Sequence, residues 1–83
     1  MIQVLYFASF RETLGLDQEK MDIKPNQTIV DLIEILKSRG ETWQAIFNAD
    51  IPVLCARNQD MVDFNETIQD GDEIAFFPPV TGG

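Results

Sequence analysis

The sequence contains no histidine and a single cysteine, Cys55, in 83 residues. That scarcity excludes the thiolate–imidazole and Ser–His–Asp arrangements of nucleophilic catalysis, and with them a closed zinc site. A lone cysteine also excludes an internal disulfide framework and suits a reducing cytoplasm, where the chain is expected to reside. Basic residues are scarce as well: six Lys and Arg stand against 14 Asp and Glu, a formal net charge of −8. A phosphate backbone would repel such a surface, so nucleic acid is not an expected partner. The acidic excess reads as a solubility device or, alternatively, as steering toward basic partner surfaces. No apolar run approaches the roughly 18 residues that a membrane span needs. The opening MIQVLYFASF has neither a basic n-region nor a small-residue cleavage site, and reads as a strand rather than a signal peptide. No membrane partner is expected. Carboxylates are plentiful but form no recognisable pair beside a pocket-forming motif, so the acid–base groups for any chemistry are expected on another protein. The chain itself is expected to bind no cofactor and no metal.

What is present is one small domain. At 45% hydrophobic residues, the composition supports one modest core near the size where burial only just offsets chain entropy. IQVLYF, residues 2–7, reads as a strand with Ile2, Val4 and Tyr6 on one face and Gln3, Leu5 and Phe7 on the other. A helical turn over Phe10 to Leu14 and turn residues Gly15 and Asp17 lead to a second strand, EKMDIK, ending at Pro25 and pairing back on the first. TIVDLIEILKSRG carries the clearest helix. Thr28 is its N-cap and Asp31 completes a capping box; Ile29, Leu32, Ile33 and Leu36 form the buried stripe, and Gly40 is the expected left-handed residue after the end. TWQAIFN reads as a short second helix, VLCARN as a third strand and NQDMVD as a turn with a short fourth. Phe64 and Ile68 are placed at the base of the core. Asp70-Gly71-Asp72 turns into EIAFF, the last strand. A helix between strand pairs implies an α+β fold with the principal helix across one face of a mixed sheet. The ubiquitin-like β-grasp, with first and last strands adjacent at the sheet centre, fits the order and length best.

The chain closes on FFPPVTGG. Pro78 and Pro79 cannot donate to a ladder, so the strand must stop at Phe77. The chain then divides into a domain over 1–77 and a protruding, flexible tail over 78–83. Fixed φ at the two prolines favours an extended path, and six residues reach up to about 20 Å. Pro78, Pro79, Val80 and Thr81 would carry the tail outward. Gly82 and Gly83 lack Cβ atoms and could thread a narrow channel. The group at the tip is the α-carboxylate of Gly83, a poor electrophile that becomes reactive as a mixed anhydride with a nucleotide phosphate. Sulfide attack on that anhydride would leave a thiocarboxylate.

GDEIAFFPPVTGG, from Gly71 onward, resembles the C-terminal signature of the small subunits of molybdopterin synthase, the MoaD family. The opening IQVLYFASFRETLG, with Arg11 and Glu12, is similar to the start of that family. The resemblance spans the chain, is densest at both ends, and implies a β-grasp sulfur carrier of molybdenum cofactor biosynthesis. It implies that Gly83 is adenylated, with ATP and Mg²⁺, by an adenylyltransferase related to ubiquitin-activating enzymes, and then converted to a thiocarboxylate. It further implies that the tail enters the large subunit of molybdopterin synthase, in a heterotetramer whose catalytic residues lie on that large subunit. There sulfur passes to cyclic pyranopterin monophosphate to build the molybdopterin dithiolene.

Strand parity suggests where partners would meet the domain. Ile74 and Phe76 face the helix, which leaves Ala75 and Phe77 beside Leu5 and Phe7 on the opposite face, with Arg57 at its edge to meet a carboxylate. Cys55, mid-strand with only Arg57 as a nearby cation, reads as inert packing rather than a persulfide carrier. Two alternatives use the same terminus. One is another ubiquitin-like sulfur carrier, serving thiazole synthesis for thiamine or tRNA thiolation. The other is a protein modifier, although Thr81 stands where ubiquitin has arginine.

Overall fold

The structure is a computed structural model and describes residues 1–48 and 52–79. The elements in chain order are β1 (Ile2–Tyr6), α1 (Ala8–Leu14), β2 (Gln18–Met21), α2 (Ile29–Lys37), α3 (Glu41–Phe47), β3 (Leu54–Arg57), β4 (Asp60–Val62) and β5 (Glu73–Phe77). The strands form one sheet in the order β2-β1-β5-β3-β4. β1 and β5 are parallel, with Val4 opposite Ile74 and Tyr6 opposite Phe76, while the remaining pairs are antiparallel. A helix-covered mixed sheet with the first and last strands at its centre is the ubiquitin-like β-grasp.

Alternation decides the two faces. Ile2, Val4 and Tyr6 of β1 and Ile74 and Phe76 of β5 are all buried. Against them lies the stripe of α2: Ile29, Leu32 and Leu36 are fully buried and Ile33 nearly so. Burying each such side chain contributes about 1.5–3 kcal/mol over leaving it exposed. The capping box starts α2 where the sequence implies: the Asp31 amide donates to Thr28 Oγ1 at 3.3 Å and the Thr28 amide to the Asp31 carboxylate at 2.9 Å. Further free amides at this end are satisfied from outside the helix, since Ile29 and Val30 donate to the carbonyls of Glu66 and Phe64. Ile68 closes the base of the core, with half-buried Phe64 packed beside it.

Several element boundaries differ from the sequence expectation. α1 is a full seven-residue helix from Ala8 rather than one turn from Phe10; it ends on Gly15 at φ 66°, and its Phe10 enters the core. β2 stops at Met21, not Lys24, because β1 begins at Ile2, the partner of Met21, and offers nothing further to pair with. β3 is likewise confined to Leu54–Arg57, opposite Phe77 to Ile74 of β5. Gly40 does not close α2. Ser38, with φ −68°, is its C-cap, and Gly40 adopts φ 146° as the N-cap of α3, a conformation that side-chain-bearing residues rarely take. No helix among the described residues is long and apolar enough to cross a membrane.

Candidate functional site

The sheet face turned away from α2 is built by register. Leu5, Ala75, Ala56 and Met61 lie side by side across β1, β5, β3 and β4. One step nearer the end of β5, Phe77 stands opposite Leu54. Phe7 extends this second row, because its amide donates to the Phe76 carbonyl at 3.2 Å and carries the β1–β5 pairing one residue past the strand. Immediately afterwards Ala8 turns the chain into α1 at φ 54°, a left-handed conformation that costs an alanine roughly 1 kcal/mol. The result is an apolar surface on which Phe7 is 44% and Met61 60% exposed, with small residues at its centre. Pro78 and Pro79, both half-buried, follow directly from the end of β5, the central strand.

Beneath this surface the end of β5 is held by aromatic packing and a polar clip. Phe76 is stacked with Tyr6, ring centroids 6.4 Å apart, and meets the edge of Phe47 at 5.3 Å. Trp43 lies edge-on to Tyr6 at 5.6 Å, with the Arg39 guanidinium 4.7 Å above its ring. Glu19 of β2 closes the cluster. It accepts a hydrogen bond from the Tyr6 hydroxyl at 2.8 Å and two from Arg39, also at 2.8 Å. Burial works to raise the Glu19 pKa, but the hydrogen bonds from Arg39 and Tyr6, together with the Arg39 charge, hold it below the usual carboxylate range. Burial first, then the bond to Glu19, pushes the Tyr6 phenol far above its ordinary value.

Cys55 sits on the core side of β3, 1% exposed, with its thiol donating to the Val62 carbonyl at 3.3 Å. Burial and the nearby Asp63 charge push its pKa up to about 11, so it remains a thiol at neutral pH. Among the described residues no group of three or more His, Cys, Asp or Glu side chains is placed to hold a metal ion.

The ThiS family model matches residues 4–83. The chain belongs to the ThiS family. Full-length relatives of this ThiS-family chain include the molybdopterin synthase sulfur carrier subunit of Escherichia coli (strain K12), 41% identical over 83 residues that cover 100% of both chains. The protein of the same name from Haemophilus influenzae is 37% identical, again with 100% of each covered. Among solved structures, the putative molybdopterin converting factor, subunit 1, of Pyrococcus furiosus superposes with a TM-score of 0.74 at 32% identity, covering 95% of this chain and 97% of that one. SAMP1 from Haloferax volcanii superposes with a TM-score of 0.81 at 24% identity, covering 99% and 98%, and shares the fold.

In this ThiS-family chain Leu5, Phe7, Ala75 and Phe77 occur together on the open face. Arg57 does not join them. It stands opposite Ile74 and two residues from Cys55, which puts it on the helix side of the sheet. There its guanidinium donates to the Thr67 carbonyl at 2.8 Å and pairs with Glu66 at 3.4 Å. It thereby anchors the segment that satisfies the start of α2. The carboxylate it meets belongs to its own chain. The sequence reading also passed over Leu54, Ala56 and Met61, which complete the open face. Their signal was the alternation of β3 and β4, readable only once β3 is paired with β5. Val80, Thr81, Gly82 and Gly83 lie outside the described residues.

Proposed function

We propose that this chain is the sulfur-carrier subunit of a molybdopterin synthase and acts without catalytic side chains of its own. The observation that carries the reading is the match to the E. coli sulfur carrier subunit over the whole length of both chains, Gly83 included. In this reading the α-carboxylate of Gly83 attacks ATP, with Mg²⁺, in the site of an activating adenylyltransferase; pyrophosphate leaves and an acyl-adenylate remains. A sulfur donor then displaces AMP to give the thiocarboxylate. Pro78 to Thr81 carry the tail and Gly82 allows passage into the large subunit, where sulfur goes to cyclic pyranopterin monophosphate and catalytic side chains are supplied. The apolar face of Leu5, Phe7, Ala75 and Phe77 is the docking surface for that subunit, since it borders the point where the tail leaves β5.

Two features of the domain support a division of labour of this kind. Its single thiol is buried and protonated, which leaves sulfur chemistry to the tail. The end of β5 is braced by the Phe76 cluster, so the root of the tail is stiff. The fold alone would not decide the matter, because the small archaeal modifier protein 1 of H. volcanii shares it. The deciding experiment is intact-mass spectrometry after incubation with the activating enzyme, ATP, Mg²⁺ and a sulfur donor. The expected product is heavier by the exchange of one oxygen for one sulfur, localised to the last peptide. An unchanged mass, or an isopeptide linkage to lysine instead, would refute the reading.

A further inference from the structure

We propose that Met61 is an oxidation-sensitive contact on the docking face, so that its conversion to the sulfoxide weakens attachment to the large subunit. The inference rests on the carrier reading above and deepens it. A carrier must leave one partner to reach another, so its docking face is periodically open to solvent. Met61 is the most exposed large apolar side chain among the described residues, at 60%. It stands opposite Ala56 on the edge strand β4, in the row that runs through Ala75 to Leu5. The two alanines between Leu5 and Met61 are small, so Met61 is the larger side chain at that end of the row.

The other sulfur atoms differ in ways that isolate this one. Cys55 is buried and protonated, whereas peroxide reacts with the thiolate. Met21 is half-buried on the core side, with its sulfur 3.7 Å from Arg39 Nη2. Met1 is 58% exposed, but its carbonyl accepts from Gly71, at the end of the sheet remote from Phe77. Only Met61 combines accessibility with a place on the apolar face.

The chemistry needs a peroxide and nothing else. A sulfur lone pair attacks one peroxide oxygen, the O–O bond breaks as the S–O bond forms, and the hydroxide released takes the proton from the sulfur-bound OH, leaving the sulfoxide and water. Methionine is oxidised by two electrons and hydrogen peroxide is reduced to water. The product carries a strong hydrogen-bond acceptor on a surface that docking must dehydrate. An acceptor buried without a partner weakens the complex about tenfold.

The test treats the full chain with hydrogen peroxide, maps the added oxygen by peptide mass spectrometry, and titrates the purified large subunit calorimetrically. Met61→Leu is carried through the same treatment, each protein being compared with its own untreated form. The expected result is an affinity loss of about tenfold for the wild-type chain, reversed by methionine sulfoxide reductase, and no change for Met61→Leu on treatment. Unaltered affinity with oxygen present on Met61 would overturn the proposal. So would an equal loss in Met61→Leu, or the absence of oxygen at Met61 under conditions that oxidise free methionine. Failure of the untreated chain to bind the large subunit would instead overturn the carrier reading, and this proposal with it.

Discussion

Phe76 and Phe77 are neighbours, yet alternation turns them to opposite faces of the sheet, and Phe7 shares the face of Phe77. Phe7 retains 44% of its surface, and a phenylalanine has about 200 Å² to bury, so about 90 Å² remains to be covered on docking. At about 25 cal/mol per Å² that is about 2 kcal/mol, of which ordering the side chain offsets about 0.5–1 kcal/mol. Phe7→Ala should therefore weaken binding of the large subunit by about 1–1.5 kcal/mol, roughly tenfold in Kd. Its thermal unfolding should move little, because Phe7 contributes little to the core. Phe77→Ala should likewise cost more than about 1 kcal/mol of binding as a buried anchor. Phe76→Ala is the contrast. Phe76 is 0% exposed between Tyr6 and Phe47, and truncating it costs about 3–5 kcal/mol of folding free energy. A chain of this length commands only about 4–12 kcal/mol in total. The assay is isothermal titration of the large subunit alongside calorimetric melting of each variant. If Phe7→Ala bound as tightly as wild type, or melted as early as Phe76→Ala, the assignment of faces would be wrong.

Three further outcomes are expected. Because the folded-state pKa of Glu19 is depressed, the clip stabilises the fold fully above the unfolded value of about 4.3 and ceases to do so as pH falls through the folded value. Urea titrations of wild type and Glu19→Gln should therefore differ by about 1–2 kcal/mol at pH 7 and by progressively less as the pH falls through the folded-state value of Glu19; a difference independent of pH would show that the carboxylate charge is irrelevant. Cys55→Ser should retain sulfur transfer, with the serine hydroxyl able to keep the bond to the Val62 carbonyl; a folded but inactive variant would return the thiol to the chemistry. Deleting Gly83 should abolish sulfur transfer and leave the melting temperature unchanged within error, whereas a large drop would make the terminal residue a structural one.

How much of this was legible in the chain follows from the range of the interactions involved. The Thr28–Asp31 capping box and the Ile29–Leu36 stripe involve residues at most seven apart, so α2 was readable residue by residue. The inward set of Ile2, Val4, Tyr6, Ile74 and Phe76 was equally plain, because alternation along one strand needs no knowledge of its neighbour. The expectation of a narrow, extended tail came from residue types, two prolines that cannot donate to a ladder and two glycines without side chains, whereas the chemistry proposed for it came from the family resemblance.

Tertiary structure decided what depends on which strands meet and in which register. Arg57 was assigned to the wrong face because its alternation cannot be referred to that of β5 until Cys55 is set opposite Phe76. Leu54, Ala56 and Met61 joined the open face for the same reason. Gly40 had the composition of a helix terminator and became a helix starter, since the chain must turn there to bring Trp43 and Ile46 back over the sheet. Glu19, Arg39 and Tyr6, far apart in sequence, met only when β2 was paired on β1 and the end of α2 was packed above them. Local pattern determined what each element is; contacts between distant elements determined which of its residues face one another, because no single strand or helix carries the register of its neighbours.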